Sequence, residues 1–481
     1  MRVWAQSRIV QKWLRGTSAT AVAWLILVIL GASQPAGALP AFARKYGLRC
    51  SACHESWPML NYFGQKFKDN GYQLMNDRDA PIWQNPGYWP VTFRIVPMWH
   101  RVSTNKVQVD SGTEGGSTEA RVTSSGFDLT GLDFHTGGTL EKNISFYVLP
   151  SSDPTGAFHF ETVMARFDNL GGSPWLNVKL GKFELDNLLS EKRILGLTAN
   201  GGIYQLYHFM PVGDGNVFGQ MGDNQLGIEV MGHSYDDRRR YSAALLSTND
   251  GSVGLPYGSN SYTGFFAASQ AFDAGKWGVQ RIGGYAMIGL APTTWLTNGG
   301  PNAPIGGSGT GNKAFHREGF VGQFYFGPHV DLQVVTQHGW DNAWFGQGYG
   351  DFIDNPTGTC PNSTGTQACN NNTGLGLPSG SRAPTWNGVL LEPHYVYSPQ
   401  LIFIGRYETI RMSQQATAGA PSNLGNITTY TIGYRYNPFM TSRAGFAIHN
   451  EFNWLKQDGT SPVTNTNLAT GELLLGFDFD F

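Results

Sequence analysis

The sequence predicts an all-β protein: a transmembrane antiparallel β-barrel of about sixteen strands, with a short helical segment ahead of it. Three observations carry this. The first is composition: among 481 residues only 14% are charged, against about 25% in a typical soluble domain, while Gly and the aromatic residues are both abundant. Length alone would allow about three ordinary domains, but the low charge argues against them, and the aromatics exclude disorder. The second is hydropathy. Beyond the first 40 residues no run approaches the ~20 apolar residues of a membrane-spanning helix, whereas a barrel alternates a lipid face with a polar lumen and averages near neutral. The third is an alternation of long and short connections between period-two segments. The net charge of −2 offers no basic surplus for nucleic acid.

The chain opens with Arg2, Arg8, Lys12 and Arg15, an apolar stretch from Ala19 to Gly31, and Ala36-Gly37-Ala38. This is the pattern of a secretory signal over residues 1–38, with an uncleaved N-terminal anchor as the competing reading. Export places the four cysteines in an oxidising compartment. Cys50-Ser51-Ala52-Cys53-His54 is the C-x-x-C-H attachment signature of c-type haem. Two thioethers fix the porphyrin, and on a helical turn the following His becomes the proximal iron ligand. With 4 Cys and 11 His in the chain, chance would produce this pattern only about 0.0006 times. A redox-active dithiol and half of a zinc site are the alternatives; the first wants a βαβ setting and the second another ligand pair. Cys360 and Cys369 lie in a stretch rich in Asn, Gly, Thr, Ser and Pro, where a loop-stapling disulfide is the reading preferred over a redox function.

Residues 39–88 read as one helical, haem-bearing segment. A helix is predicted from Pro58, ending at Asn70-Gly71, with Phe63 and Phe67 sharing a face that covers a porphyrin edge. Some fifty residues are near the lower limit for an independent domain, so the segment leans on the remainder of the chain.

From residue 89 to 481 the period is two. In the last segment Leu473, Leu475, Phe477, Phe479 and Phe481 alternate with Leu474, Gly476, Asp478 and Asp480, one face apolar and the other largely polar. Comparable segments place strands at 91–102, 125–135, 144–151, 158–168, 175–185, 226–233, 239–247 and 262–272, then at 278–290, 315–327, 329–339, 385–397, 401–411, 427–436, 444–454 and 472–481. Long connections (103–124, 186–225, 291–314, 340–384) follow odd-numbered strands and short ones follow even-numbered strands. An outer-membrane barrel has this asymmetry, with short periplasmic turns and long external loops, and it puts the haem segment and the C-terminus on the periplasmic side. A sandwich rarely needs so many strands, and a β-helix would show a fixed short repeat. A sixteen-stranded lumen is wide enough for a channel unless filled, and the haem segment is the natural plug.

The run Pro40-Ala41-Phe42-Ala43-Arg44, Gly47, Cys50-x-x-Cys53-His54, Pro58-x-Leu60-x-x-Phe63-Gly64 and Phe67-Lys68-x-Asn70-Gly71-Tyr72 resembles the fused cytochrome–porins of the outer membrane, the monohaem iron oxidases of Fe(II)-oxidising bacteria. Over the rest of the chain the likeness is one of length, strand pattern and the terminal Phe. Neutral-pH members often carry Gln-Thr where this chain has Lys45-Tyr46, Glu in place of Met59 and Leu in place of Asp69, so the sequence sits closer to the acidophilic branch. The resemblance implies one covalent haem c at Cys50, Cys53 and His54, extracellular ferrous iron as donor, and a soluble periplasmic cytochrome c or cupredoxin as acceptor: an iron:cytochrome-c-type oxidoreductase.

A high potential favours a thioether as second axial ligand. Met59 follows His54 too closely and is expected to pack. Met75, past the Gly71 turn, is the first candidate, and Met98, alternating with Trp99 on the lumen face, is the second; His100, another group or an open position complete the alternatives. Arg94, Glu392, His394, Arg406, Glu408, Arg435, His449 and Glu451 are expected to face the lumen, where ion pairing that stiffens the wall or holds the plug is favoured over guiding iron. Two other functions compete with electron entry: a solute porin with a haem-bearing redox gate, and a passive sheath around a separate cytochrome, which the protein's own haem would obstruct.

Overall fold

The computed structural model describes residues 40–56, 59–74, 81–82, 90–114, 116–152, 156–185, 206, 224–247, 262–292, 294–296, 302–304, 312–341, 385–413, 426–440, 444–458 and 468–480. The proposed signal segment, Met75, Cys360 and Cys369 lie outside the described residues.

Sixteen antiparallel strands close into one barrel. They are β1 (Val91–Asp110), β2 (Ser117–Glu141), β3 (Ile144–Ser152), β4 (Phe158–Phe167), β5 (Asn177–Phe183), β6 (Gln225–His233), β7 (Arg239–Ser247) and β8 (Tyr262–Asp273). The circuit continues with β9 (Val279–Pro292), β10 (Asn312–Tyr325), β11 (Val330–Asp341), β12 (Thr385–Ser398), β13 (Leu401–Met412), β14 (Ile427–Met440), β15 (Gly445–Gln457) and β16 (Leu468–Asp480). Each strand pairs with its neighbour in sequence, and β16 closes on β1 through Leu474↔His100 and Asp480↔Arg94. Every expected strand is present. Alternation sorts their side chains: Leu473, Leu475, Phe477 and Phe479 are exposed on the outer face, while Glu472, Leu474, Asp478 and Asp480 are buried inside. An apolar outer face on a closed barrel is the pattern of a sheet that meets lipid. No described helix is long and apolar enough to cross a membrane.

One connection differs from expectation. Residues 103–124 are not a long loop: β1 and β2 run on as a tall hairpin, paired from Val107↔Ala120 to Asp110↔Ser117. Its residues are mostly polar on both faces, and so the apolar period gives no strand signal there.

The N-terminal segment occupies the lumen near the short turns. It forms α1 (Pro40–Tyr46), a single turn α2 (Cys50–Cys53), an extended pair His54–Ser56 with Met59–Leu60, and α3 (Tyr62–Asp69). The expected helix start at Pro58 is corrected to Asn61, the N-cap, whose side chain accepts from the Gly64 N–H at 2.9 Å. The expected end holds: Asn70 caps the helix and Gly71 takes φ +69°. A Cβ on Gly71 would also lie 1.9 Å from the Asp168 carboxylate, so this position requires glycine on both counts.

The wall binds the plug at many points. Arg166 of β4 donates to the Lys68 carbonyl at 2.9 Å and to the Asp69 carbonyl, taking up carbonyls at the C-terminus of α3. Arg240 of β7 pairs with Asp69 and with Asp237. Lys45 Nζ donates to Thr139 Oγ1 at 2.9 Å, Arg44 to the Val91 carbonyl at 2.7 Å, and the Ala41 N–H to Thr92 Oγ1 at 3.0 Å. Above the plug, inward-facing Phe265, Phe315, Trp386 and Leu390 continue one apolar cluster that includes Tyr46, Phe67 and Tyr72. Leu206, from the connection between β5 and β6, joins it. Its N–H donates to Glu408 Oε1 at 2.7 Å, and it sits where a Cβ on Gly388 would fall.

Replacing Arg240 with Met removes a countercharge from buried Asp69. Docking of the plug is expected to weaken by about 3–5 kcal/mol, read as protease cleavage of the plug at denaturant concentrations that leave the barrel folded.

Candidate haem centre

A helical turn places Cys50 and Cys53 three residues apart on one side of α2, and His54 comes next as the chain leaves that turn in extended form. Cys53 and His54 are both buried. The turn is held from two directions. Asn61 donates its side-chain amide to the Ser51 and Ala52 carbonyls at 3.3 and 3.1 Å, and its N–H to the Cys53 carbonyl at 2.9 Å. The first turn of α3 abuts the Cys53 carbonyl so closely that a Cβ on Gly64 would lie 2.0 Å from it. Asn61 has no role among the sequence-based expectations, although an Asn ahead of a helical run is an ordinary N-cap signal.

From the other direction the barrel wall holds the residues just after His54. Tyr325, at the end of β10, donates its hydroxyl to Glu55 Oε1 at 2.9 Å. Burial, with Asp331 nearby, pushes the Glu55 carboxyl up to about 7. Met59 is fully buried against Ile402, Ile404 and Val396 of the wall, in keeping with the packing role expected for it.

The residue types fit a c-type haem: two cysteines at either end of one helical turn, a histidine that follows directly, and buried settings for Cys53 and His54. They suit the alternatives less well. Burial pushes the Cys53 thiol up to about 11, opposite to the lowered value of a reactive dithiol. For zinc, the described residues contain no group of three or more His, Cys, Asp or Glu able to hold a metal ion.

Phe63 and Phe67 lie four apart on α3, but Phe67 is taken up by rings of the N-terminal segment. It packs edge-on to Phe42 and Tyr46, with ring centroids 5.4 and 5.3 Å away, while Phe63 remains exposed. An aromatic knot inside the barrel offered more burial than a helix face could signal on its own. Met98 is buried on the lumen side with Val96 and Leu474.

The eight lumen charges lie inward as expected, with partners mainly along the wall. His394 bridges Asp331 and Glu392 at 2.8 and 2.7 Å, and Arg406 Nε donates to Glu392 at 2.7 Å. Arg94 reaches Asp133 and Asp478 at 3.2 and 3.4 Å; Arg435 pairs with Asp478, and His449 lies 3.3 Å from it. Glu408 accepts from the Leu206 N–H, and Glu451 from Asn453 at 3.1 Å. These contacts brace the wall.

No protein-family profile matches the chain, and no curated protein does. Solved structures of similar fold include a loop-deleted OmpT of Vibrio cholerae, an outer membrane protein (8% identity, 82% of this chain and 100% of that one, TM-score 0.46). Others are the outer membrane channel DcaP of Acinetobacter baumannii (10%, 81% and 97%, 0.47) and an anion-selective porin from Comamonas acidovorans (12%, 81% and 99%, 0.47).

Gly64→Ala is expected to push α3 away from α2 and to reduce covalent haem attachment, measured by haem-dependent peroxidase staining of the denatured chain. Met59→Ala is expected to cost about 2–5 kcal/mol of stability and to leave the visible haem spectrum unchanged, since its role is packing.

Proposed function

We propose that this chain is an outer-membrane electron-transfer protein. It takes electrons from extracellular ferrous iron and passes them through one haem c to a soluble periplasmic cytochrome c or cupredoxin. The observation that carries this reading is the Cys50-Ser51-Ala52-Cys53-His54 turn, mounted on a plug bound inside a closed barrel. The haem, when bound, supplies a one-electron carrier. Cys50 and Cys53 hold it by thioethers and His54 provides the proximal nitrogen, with Met75 the first and Met98 the second candidate for the distal position. Asn61, Gly64 and Met59 fix the turn, and the plug's contacts with the wall keep it in the lumen. The short-turn end, which the plug approaches through the Tyr62 hydroxyl bond to the Asp236 carbonyl at 2.8 Å, is the periplasmic side in this reading. Ferric iron formed at the outer side stays outside, where it does no harm within the cell.

A solute porin with a haem-bearing gate is the second reading, favoured by the polar inner wall around Asp331, Glu392 and Arg406. Mixing oxidised holoprotein with ferrous iron at acid pH separates the two. The expected result is rapid appearance of the reduced haem bands together with negligible conductance in a planar bilayer. Open-channel conductance without haem reduction would overturn the electron-transfer reading.

A further inference from the structure

Tyr147 on β3 has its ring inside the barrel, and its hydroxyl lies 2.6 Å from His135 Nδ1 on β2, with both residues buried. In the tautomer that carries hydrogen on Nε2, Nδ1 accepts the phenolic proton. Nε2 then faces Asp133 Oδ2 at 3.9 Å, a carboxylate that stabilises the imidazolium formed when that proton transfers. Asp133 is itself held by Ser151 and Arg94. The ring stacks on Tyr72 of the plug at 5.9 Å, Tyr72 stacks on Phe42 at 4.9 Å, and Phe67 lies 6.1 Å from Tyr72. Phe67 stands one turn beyond Gly64, the residue that abuts Cys53. A run of aromatic rings, Phe67, Tyr72 and Tyr147, thus leads from the helix that carries Gly64 to a phenol hydrogen-bonded to a base. The position is prepared for it: a Cβ on Gly137 would lie 2.7 Å from the Tyr147 ring and 3.2 Å from that of Phe42.

We propose that Tyr147 and His135 form a redox-active pair that draws oxidising equivalents away from the plug. Oxidation of a buried phenol is uphill unless its proton has somewhere to go, and His135 supplies that place. Tyr46, by contrast, donates its hydroxyl to a backbone carbonyl, that of Tyr72, which cannot take the proton. Tyr325 has a carboxylate partner in Glu55, but its ring has no aromatic neighbour among the described residues. The oxidant is a peroxide, which ferrous iron and oxygen generate together; this part of the inference rests on the proposed function. Hydrogen peroxide takes two electrons and two solvent protons to give two waters. With a haem held at the Cys53–His54 turn, that group would supply one of these electrons, and Tyr147 supplies the other. The phenolic proton moves to His135 Nδ1, leaving a neutral tyrosyl radical and an imidazolium.

The chain has 20 tyrosines, so the test must assign one. Flash-quench oxidation with photogenerated tris(bipyridine)ruthenium(III), read by electron paramagnetic resonance, needs no haem; peroxide with freeze-quench does. In the full-length protein both are expected to give a neutral tyrosyl radical that Tyr147→Phe removes and Tyr325→Phe keeps, and the flash-quench signal is expected to form several-fold more slowly in His135→Phe. Tyr147→Phe retains the ring and its stacking, and an unchanged proteolysis pattern checks that the plug is docked. A radical of undiminished yield in Tyr147→Phe, or none in the wild type under flash-quench, overturns the pair. A flash-quench radical in a protein without haem bands leaves the pair standing and overturns the electron-transfer reading instead.

Discussion

A sheet that crosses a bilayer cannot leave an edge, because lipid offers no partner for a backbone N–H or C=O. Closure of β16 onto β1 meets that requirement, and the rest of the molecule depends on it. Once the sheet is closed, the period of two gives one face to lipid and the other to an interior that is neither bulk water nor ordinary core. Charged groups there have lost hydration and recover it from each other. His394 therefore contacts carboxylates through both ring nitrogens, and Asp478 serves Arg94, Arg435 and His449 together. Such pairs add little net stability over apolar packing, but removing one partner is costly, so the lumen charges are constrained as a set.

The same interior solves the plug's difficulty. Some fifty residues are near the lower limit for folding alone, and α2 and α3 are too short to be stable as isolated helices. The barrel supplies what they lack. Arg166 takes up carbonyls of α3, Arg240 neutralises Asp69, and the aromatic cluster of Phe42, Tyr46, Phe67 and Tyr72 finds its last member, Tyr147, on the wall. The Cys53-His54 turn inherits its rigidity from these contacts, with Asn61 and Gly64 on one side and Met59 on the other.

Much of this was legible in the residues. Period-two alternation with distinct faces located all sixteen strands, and in the terminal strand it also assigned the face of each residue from Leu473 to Asp480. The haem signature is local and needs no fold to be seen. What could not be read depended on surroundings. The tall hairpin of β1 and β2 has no apolar face, so it resembled a loop. Phe67 carries the periodicity of a helix face but is claimed by partners on α1 and by Tyr72, and Leu206 is one of many apolar residues in a long connection, with nothing local to mark it for the contact with Glu408 and the space beside Gly388. The helix start moved from Pro58 to Asn61 because the extended pairing of His54 with Leu60 occupies the intervening residues.

The contacts between the N-terminal segment and the wall bear on what traffic each proposed reading requires. A solute needs a continuous opening, and a plug that acts as its gate must come away from the wall. Such a gate would have to give up buried contacts of Arg166, Arg240 and Lys45 and reopen an apolar cluster that extends to Leu206. An electron needs no opening. It benefits from dense packing, short separations and a fixed cofactor geometry, because a centre that does not move has little to reorganise when its charge changes. The contacts that hold the N-terminal segment to the wall would suit the proposed fixed cofactor better than a gate that has to leave the wall.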